Sequence, residues 1–176
     1  AEQNYPKGLP EAFIIGEKFI KNESVALILG DNFFYGQSLG KKLKECVKLN
    51  DGAKIFIHPV ASPSSYGVAK IKKNKIIRIV EKPKRFVSNL AITGLYFFDN
   101  KVIKFAKSLK ASKRNETEII DLLKKYLTKK KLKAEFLGRG GAWLDAGSIE
   151  DFYNTSSFVS AIENRQGLKI ACLEEI

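Results

Sequence analysis

The chain of 176 residues, 44% of them hydrophobic, carries enough apolar material for one globular domain with a sizeable core and too little for two, which excludes a disulfide-stapled miniature and a disordered tail. Two cysteines (Cys46, Cys172) and one histidine (His58) leave no Cys/His cluster for a structural zinc, so any metal must sit on carboxylates. The balance of 31 basic against 19 acidic residues gives a net charge of +12, but the lysines are spread over several segments rather than gathered on one element with interleaved aromatics, which argues against a nucleic-acid partner.

In chain order, residues 25–29 form a short apolar run ending in Gly30-Asp31-Asn32, the pattern of a strand buried on both faces that stops at a polar loop. Ser38 is placed to cap a basic amphipathic helix reaching Asn50. Residues 53–60 read as a strand, and residues 68–71 and 76–80 flank Lys72-Lys73-Asn74-Lys75 as a hairpin. Residues 92–98 are a further strand, after which Asp99 is expected to cap a helix beginning near Val102. The apolar spacing predicts a helix over 117–130, then strands over 133–137 and 142–145. Ser148 with Asp151 resembles a capping box opening a helix to Arg165 that Gly167 stops, and residues 168–173 close the chain as a strand. Strands alternating with helices around one hairpin indicate an α/β domain whose mixed sheet is mostly parallel, with flanking helices. No run approaches a membrane span and no basic-then-apolar signal opens the chain, so the expectation is a soluble, cytoplasmic protein with reduced thiols and no membrane partner.

In α/β sheets the ligand lies beyond the carboxyl ends of the strands, which directs attention to the residues following each one. Asp31 and Asp145 both follow strands and would meet if those strands are parallel neighbours or near neighbours; a carboxylate pair with open positions suits Mg2+, whose remaining ligands are water and phosphate oxygens. Lys82, turned off the sheet by Pro83, is a point charge for a phosphate, and Arg114 before the 117–130 helix offers a bidentate fork. Gly67, beside Tyr66, lets backbone approach a ligand. Trp143 reads as core or pocket wall, and His58 as a core histidine. Gly138-Arg139-Gly140-Gly141 fails the dinucleotide fingerprint because Trp143 stands where the last glycine belongs.

The order of these segments is more specific than any one of them. Gly8-Leu9-Pro10-Glu11-Ala12, Leu29-Gly30-Asp31-Asn32, Tyr66-Gly67-Val68, Val80-Glu81-Lys82-Pro83, Thr93-Gly94-Leu95-Tyr96, Arg114-Asn115-Glu116-Thr117-Glu118-Ile119, Ala142-Trp143-Leu144-Asp145-Ala146-Gly147 and Glu163-Asn164-Arg165-Gln166-Gly167 resemble, in this order, the blocks of the sugar-1-phosphate nucleotidyltransferases. The resemblance implies a Rossmann-like nucleotide-diphospho-sugar transferase fold and transfer of a thymidylyl group from dTTP to glucose 1-phosphate. It further implies Asp31 and Asp145 as Mg2+ ligands, and Lys82 and Arg114 as the groups holding the sugar's phosphate. Tyr66, Gly67, Glu81 and Ile92 would form the glucose pocket with Trp143 in its wall, Gln3, Gly8, Leu9 and Gly30 would lie on the nucleotide side, and the complete family member would be a homo-oligomer. The family's glycine-rich triphosphate loop and its C-terminal helices have no counterpart here, and Asn115 and Ile120 replace the usual glycine and threonine. The expectation is one truncated domain over residues 1–176, incomplete at both ends and catalytically poor alone; the alternative is a non-catalytic half-protein that binds sugar phosphate or assembles with family members.

Overall fold

The computed structural model describes residues 2–3, 5–112, 114–172 and 174. Two short helices, α1 (Glu11–Ile15) and α2 (Glu17–Ile20), precede β1 (Val25–Ile28), β2 (Asn32–Tyr35), α3 (Leu39–Cys46) and β3 (Ala53–Pro59). The hairpin β4 (Val68–Lys72) and β5 (Lys75–Val80) leads to β6 (Leu90–Phe98), then α4 (Val102–Lys107), α5 (Ile119–Thr128), β7 (Leu132–Phe136), β8 (Ala142–Asp145) and α6 (Ile149–Gln166).

The main sheet runs β5-β4-β6-β3-β7. β3 occupies one edge of β6, and the other is shared by β4, at Val68 beside Ala91, and β1, which pairs with residues 95–98. β2 and β8 form a separate two-stranded sheet. The α/β class and the mixed sheet agree with the expectation, but its parallel majority does not: among the described residues only β3 and β7 pair in parallel. The hairpin and the return of β6 between β3 and β1 impose antiparallel neighbours that alternating strands and helices alone do not reveal.

Side chains alternate across the sheet, as the pleat requires. Ile55, Ile57, Tyr96 and Phe98 face one layer with Phe13 of α1, Val102 of α4 and Leu122, Leu123 and Tyr126 of α5. Phe56, Leu95 and Phe97 face the other with Cys46 of α3 and Leu137, against which Leu43 and Trp143 pack. β6 is therefore the strand buried on both faces, a role expected of residues 25–29. β1 instead alternates between half-buried and exposed, with Ile28 58% exposed.

Three further expectations are corrected. Ser38 makes no side-chain cap and α3 ends at Cys46; the segment after it is tied to the residue before β1, where Ser24 Oγ donates to Leu49 O at 2.6 Å. Asp99 lies outside the first turn of α4; its buried carboxylate accepts instead from Gly52 N (2.8 Å), Tyr126 Oη (2.7 Å) and Lys101 N (3.1 Å). Residues 168–172 form no strand, and Leu173 lies outside the described residues. At α6 the cap is as anticipated: Ser148 Oγ accepts from Asp151 N at 3.1 Å, and Gly167 closes the helix in the left-handed region at φ 69°.

Candidate active site

The backbone draws distant segments into one cleft. Lys82 N donates to Tyr66 O (3.1 Å) and Ile92 N to Gly67 O (2.7 Å), so the turn before β4, the end of β5 and the start of β6 are tied together. A cleft of about 200 Å3 results, lined by Leu9, Tyr66, Gly67, Glu81, Lys82, Ile92 and Asp145. Gly67 is required by space: a Cβ there would stand 2.8 Å from Ile120 Cδ1 and 3.1 Å from Glu81 Oε2. Burial pushes the Glu81 carboxyl above its ordinary pKa, and the nearby Lys82 ammonium opposes that rise. Lys82 itself leaves β5 with φ 37°, a left-handed backbone that a non-glycine residue holds only at a cost of about 1–3 kcal/mol.

The two aspartates meet, though by an antiparallel ladder rather than through parallel neighbours. Asn32 of β2 stands opposite Asp145 of β8, and Ala146 N donates to Asp31 O at 2.7 Å. A Cβ built on Gly147 would lie 3.2 Å from Asp145 Oδ1 and 3.7 Å from Asp31 Oδ2, so both carboxylates border one small volume. Burial, and secondarily the charge of Asp31, raises the proton affinity of Asp145. A hard divalent cation would relieve that repulsion, and two carboxylates leave room for water and phosphate oxygens, so the chemistry of this pair is compatible with such a cation.

Asn32 was not anticipated beyond its place in a motif. Its Nδ2 donates to Asp31 Oδ1 (2.8 Å), while its Oδ1 accepts from Gly94 N (2.9 Å) and Trp143 Nε1 (2.7 Å). One amide thereby joins the small sheet, β6 and an aspartate of the carboxylate pair. Gly94 permits the approach, since a Cβ there would stand 2.6 Å from Asn32 Oδ1. Trp143 packs edge-on against Tyr66, ring centroids 5.1 Å apart, and so backs the cleft wall from behind. Leu29, Ser65, Tyr96, Ile119 and Ile120 also line the cleft; Leu29, Tyr96 and Ile119 stand in the motif blocks and Ile120 at a departure from them, but none was expected to form the pocket, and Ser65 lies in no block.

Arg114 does not line this cleft, although its charge is near enough to oppose the rise in the Glu81 pKa. Its guanidinium forks onto Glu118, with Nη2 at 2.9 and 2.8 Å from Oε1 and Oε2, and Ser112 Oγ donates to the same carboxylate at 2.8 Å. Asn115 beside it holds φ 61°, in the left-handed region that favours glycine. On the other side of Leu9 a broader cleft of about 540 Å3 is lined by Gln3, Gly8 and Leu9 with Glu116. Thr117 N donates to Lys7 O at 2.8 Å and fixes this segment against the loop before α5. Gly30 forms the turn between β1 and β2. His58 sits half-buried in β3 with Nδ1 unpartnered, apart from both clefts.

Residues 1–161 match the family model for nucleotidyl transferases, and the chain belongs to that family. It is 49% identical over its whole length to a glucose-1-phosphate thymidylyltransferase of Neisseria meningitidis, covering 62% of that protein, and 48% identical to one of Mycolicibacterium smegmatis, covering 61%. Among solved structures, a UDP-glucose pyrophosphorylase complexed with UDP-glucose superposes with a TM-score of 0.80 at 28% identity, over 92% of this chain and 65% of the other. The chain thus spans about three-fifths of the length of the curated relatives it matches.

Proposed function

We propose that this chain, as one domain, carries the sugar-phosphate and metal-binding half of a thymidylyltransferase site, in which a thymidylyl group passes from dTTP to glucose 1-phosphate. Full-length identity of 49% to an enzyme named for that reaction supports the nucleotide and sugar assignment. The observation that carries the reading is the single cleft gathering Tyr66, Gly67, Glu81, Lys82, Ile92 and Asp145 from four separate stretches of sequence.

In this reading the half-buried Glu81 hydrogen-bonds sugar hydroxyls, the backbone of Gly67 approaches the ring, and Lys82 meets the sugar's phosphate. Arg114 joins that phosphate by exchanging its Glu118 partner for it. Leu9, with Gln3 and Gly8, lies against the base and separates it from the sugar; Gly30 turns the chain toward the nucleotide. Asp31, held by Asn32, and Asp145 would hold Mg2+, which when bound supplies charge neutralisation at the reacting phosphates. An oxygen of the sugar phosphate attacks the α-phosphorus of dTTP in line, the bond to the bridging oxygen breaks, and pyrophosphate leaves. Such chemistry depends on positioning and charge rather than on a protein nucleophile. Among the described residues no helix is long and apolar enough to cross a membrane, and Cys46 and Cys172 are unbonded, which support a cytoplasmic setting; the complete protein is a homo-oligomer on the family pattern.

The test is calorimetric titration with glucose 1-phosphate and Mn2+ in place of Mg2+. Saturable sugar-phosphate binding that Lys82→Ala weakens at least about tenfold, and Mn2+ binding that Asp145→Asn weakens similarly, is the expected outcome. Unchanged affinities in both variants overturn the assignment. A second reading is a non-catalytic module that binds sugar phosphate. Pyrophosphate exchange with dTDP-glucose separates the two, because only a site able to hold the leaving group runs it.

A further inference from the structure

A cleft of about 610 Å3 opens at the opposite end of β5 and α5 from the sugar cleft. β5 starts here at Lys75 and ends beside Glu81; α5 ends here beyond Leu127 and lines the sugar cleft with Ile119 and Ile120. The two clefts are therefore distinct. The floor of the distal one is apolar, built on Ile76 and Leu132, each 8% exposed, with Leu127 packed beside them.

Its rim is basic. Lys75, Lys130 and Lys133 line it, no acidic residue does, and among the described residues none of the three forms an ion pair. Lys42, Lys101, Lys107, Lys124 and Lys131, by contrast, all meet carboxylates. The backbone presents the rim in left-handed conformations: Lys73 and Asn74 (φ 49° and 58°) form the two-residue hairpin turn before Lys75, and Lys130 (φ 57°) follows the end of α5. The end of α5 repels an anion less than a bare helix C-terminus would, because Lys130 N and Lys131 N donate at 2.9 Å each to the carbonyls of Leu127 and Tyr126 respectively.

We propose that this distal cleft binds a small organic anion, with its apolar body on Ile76 and Leu132 and its phosphate or carboxylate among Lys75, Lys130 and Lys133. Three exposed ammonium groups on one rim attract an anion, and the apolar floor beside them favours one with an apolar body, so a concave site engages both parts of the ligand at once. Inorganic phosphate would meet only the rim and a neutral hydrocarbon only the floor, so a ligand combining both is the one that fits.

Titration of the full chain with 1-naphthyl phosphate, followed by methyl and amide NMR, tests this. Shifts are expected at Ile76, Leu132 and Ala134, with binding at least about tenfold tighter than that of 1-naphthol or inorganic phosphate. Lys75→Glu/Lys133→Glu should lose at least about tenfold in affinity, whereas Lys104→Glu/Lys110→Glu, the same change of net charge at other exposed lysines, should retain it. In the unaltered chain, rising NaCl should weaken 1-naphthyl phosphate and leave 1-naphthol unaffected, a readout independent of how any variant folds. Equal binding of 1-naphthyl phosphate and 1-naphthol, shifts confined to the sugar cleft, or equal losses in the two double variants would overturn the proposal.

Discussion

Gly67 shows how a single residue sets the shape of the cleft proposed to hold the sugar. A methyl group there would collide with Ile120 and crowd the Glu81 carboxylate. Gly67→Ala is expected to destabilise the fold by about 1–3 kcal/mol, the usual cost of overpacking, and to weaken glucose 1-phosphate binding beyond that loss. Denaturant melts and calorimetry on the same variant check both. His58 carries a different consequence. Burial holds its imidazole below the ordinary pKa, and Nδ1 has no partner. As pH falls below about 6.5 the unfolded chain takes up the proton first, so stability present above that value is lost toward the lower folded pKa. His58→Gln should flatten this component: the urea midpoint of the parent should fall more between pH 7.5 and pH 5.5 than that of the variant, and parallel curves would refute the prediction. Asn32 is the residue the sequence concealed most thoroughly, because its importance lies in three partners drawn from positions 31, 94 and 143.

At the level of elements, Asp99 is the joint between β3, α4 and α5. Its carboxylate is 1% exposed and accepts from Gly52 N, Lys101 N and the Tyr126 hydroxyl. Asp99→Ala would strand these donors and is expected to cost about 3–5 kcal/mol, read as a fall in the denaturation midpoint. The helices and strands with complete periodic patterns were legible from sequence: α5, the β4–β5 hairpin, β6 and the capped α6 lie within a few residues of expectation. α1, α2 and β2 were not read from the sequence; each spans only four or five residues, and unlike the equally short β1 and β8 none was marked by an apolar run closed by a polar turn. β1 was found in place but misjudged in burial. Its apolar run resembled a central strand, while its alternating exposure follows from where it pairs on β6.

For the molecule as a whole, the charge of +12 is the dominant long-range term. Ion pairs such as those of Asp51 with Lys101 and Lys131, at 2.7 Å each, neutralise it locally and hold the Asp51 carboxyl down at about 2. Many other lysines are left to repel one another. Screening over a Debye length of about 8 Å at physiological ionic strength should therefore raise the melting temperature as NaCl is added from low salt. A melting temperature that falls instead would mean that the surface ion pairs outweigh the repulsion.

The sequence by itself determined the α/β class, the family motifs in their order, and which residue types are available for phosphate, sugar and metal, because local periodicity and short-range spacing are written in neighbouring residues. Only the tertiary structure decided that Asp31 and Asp145 meet across an antiparallel ladder, that Gly67, Glu81, Lys82 and Ile92 share one cleft, and that Arg114 is held by Glu118 outside it. Those facts depend on strand partners and on competition between nearby charges, and neither is a property of any one stretch of chain. Three lysines from β5, the end of α5 and β7 likewise come to share a cleft only when the strands and helix are packed, so an even scatter of positive charge in the sequence becomes a localised basic rim in the fold.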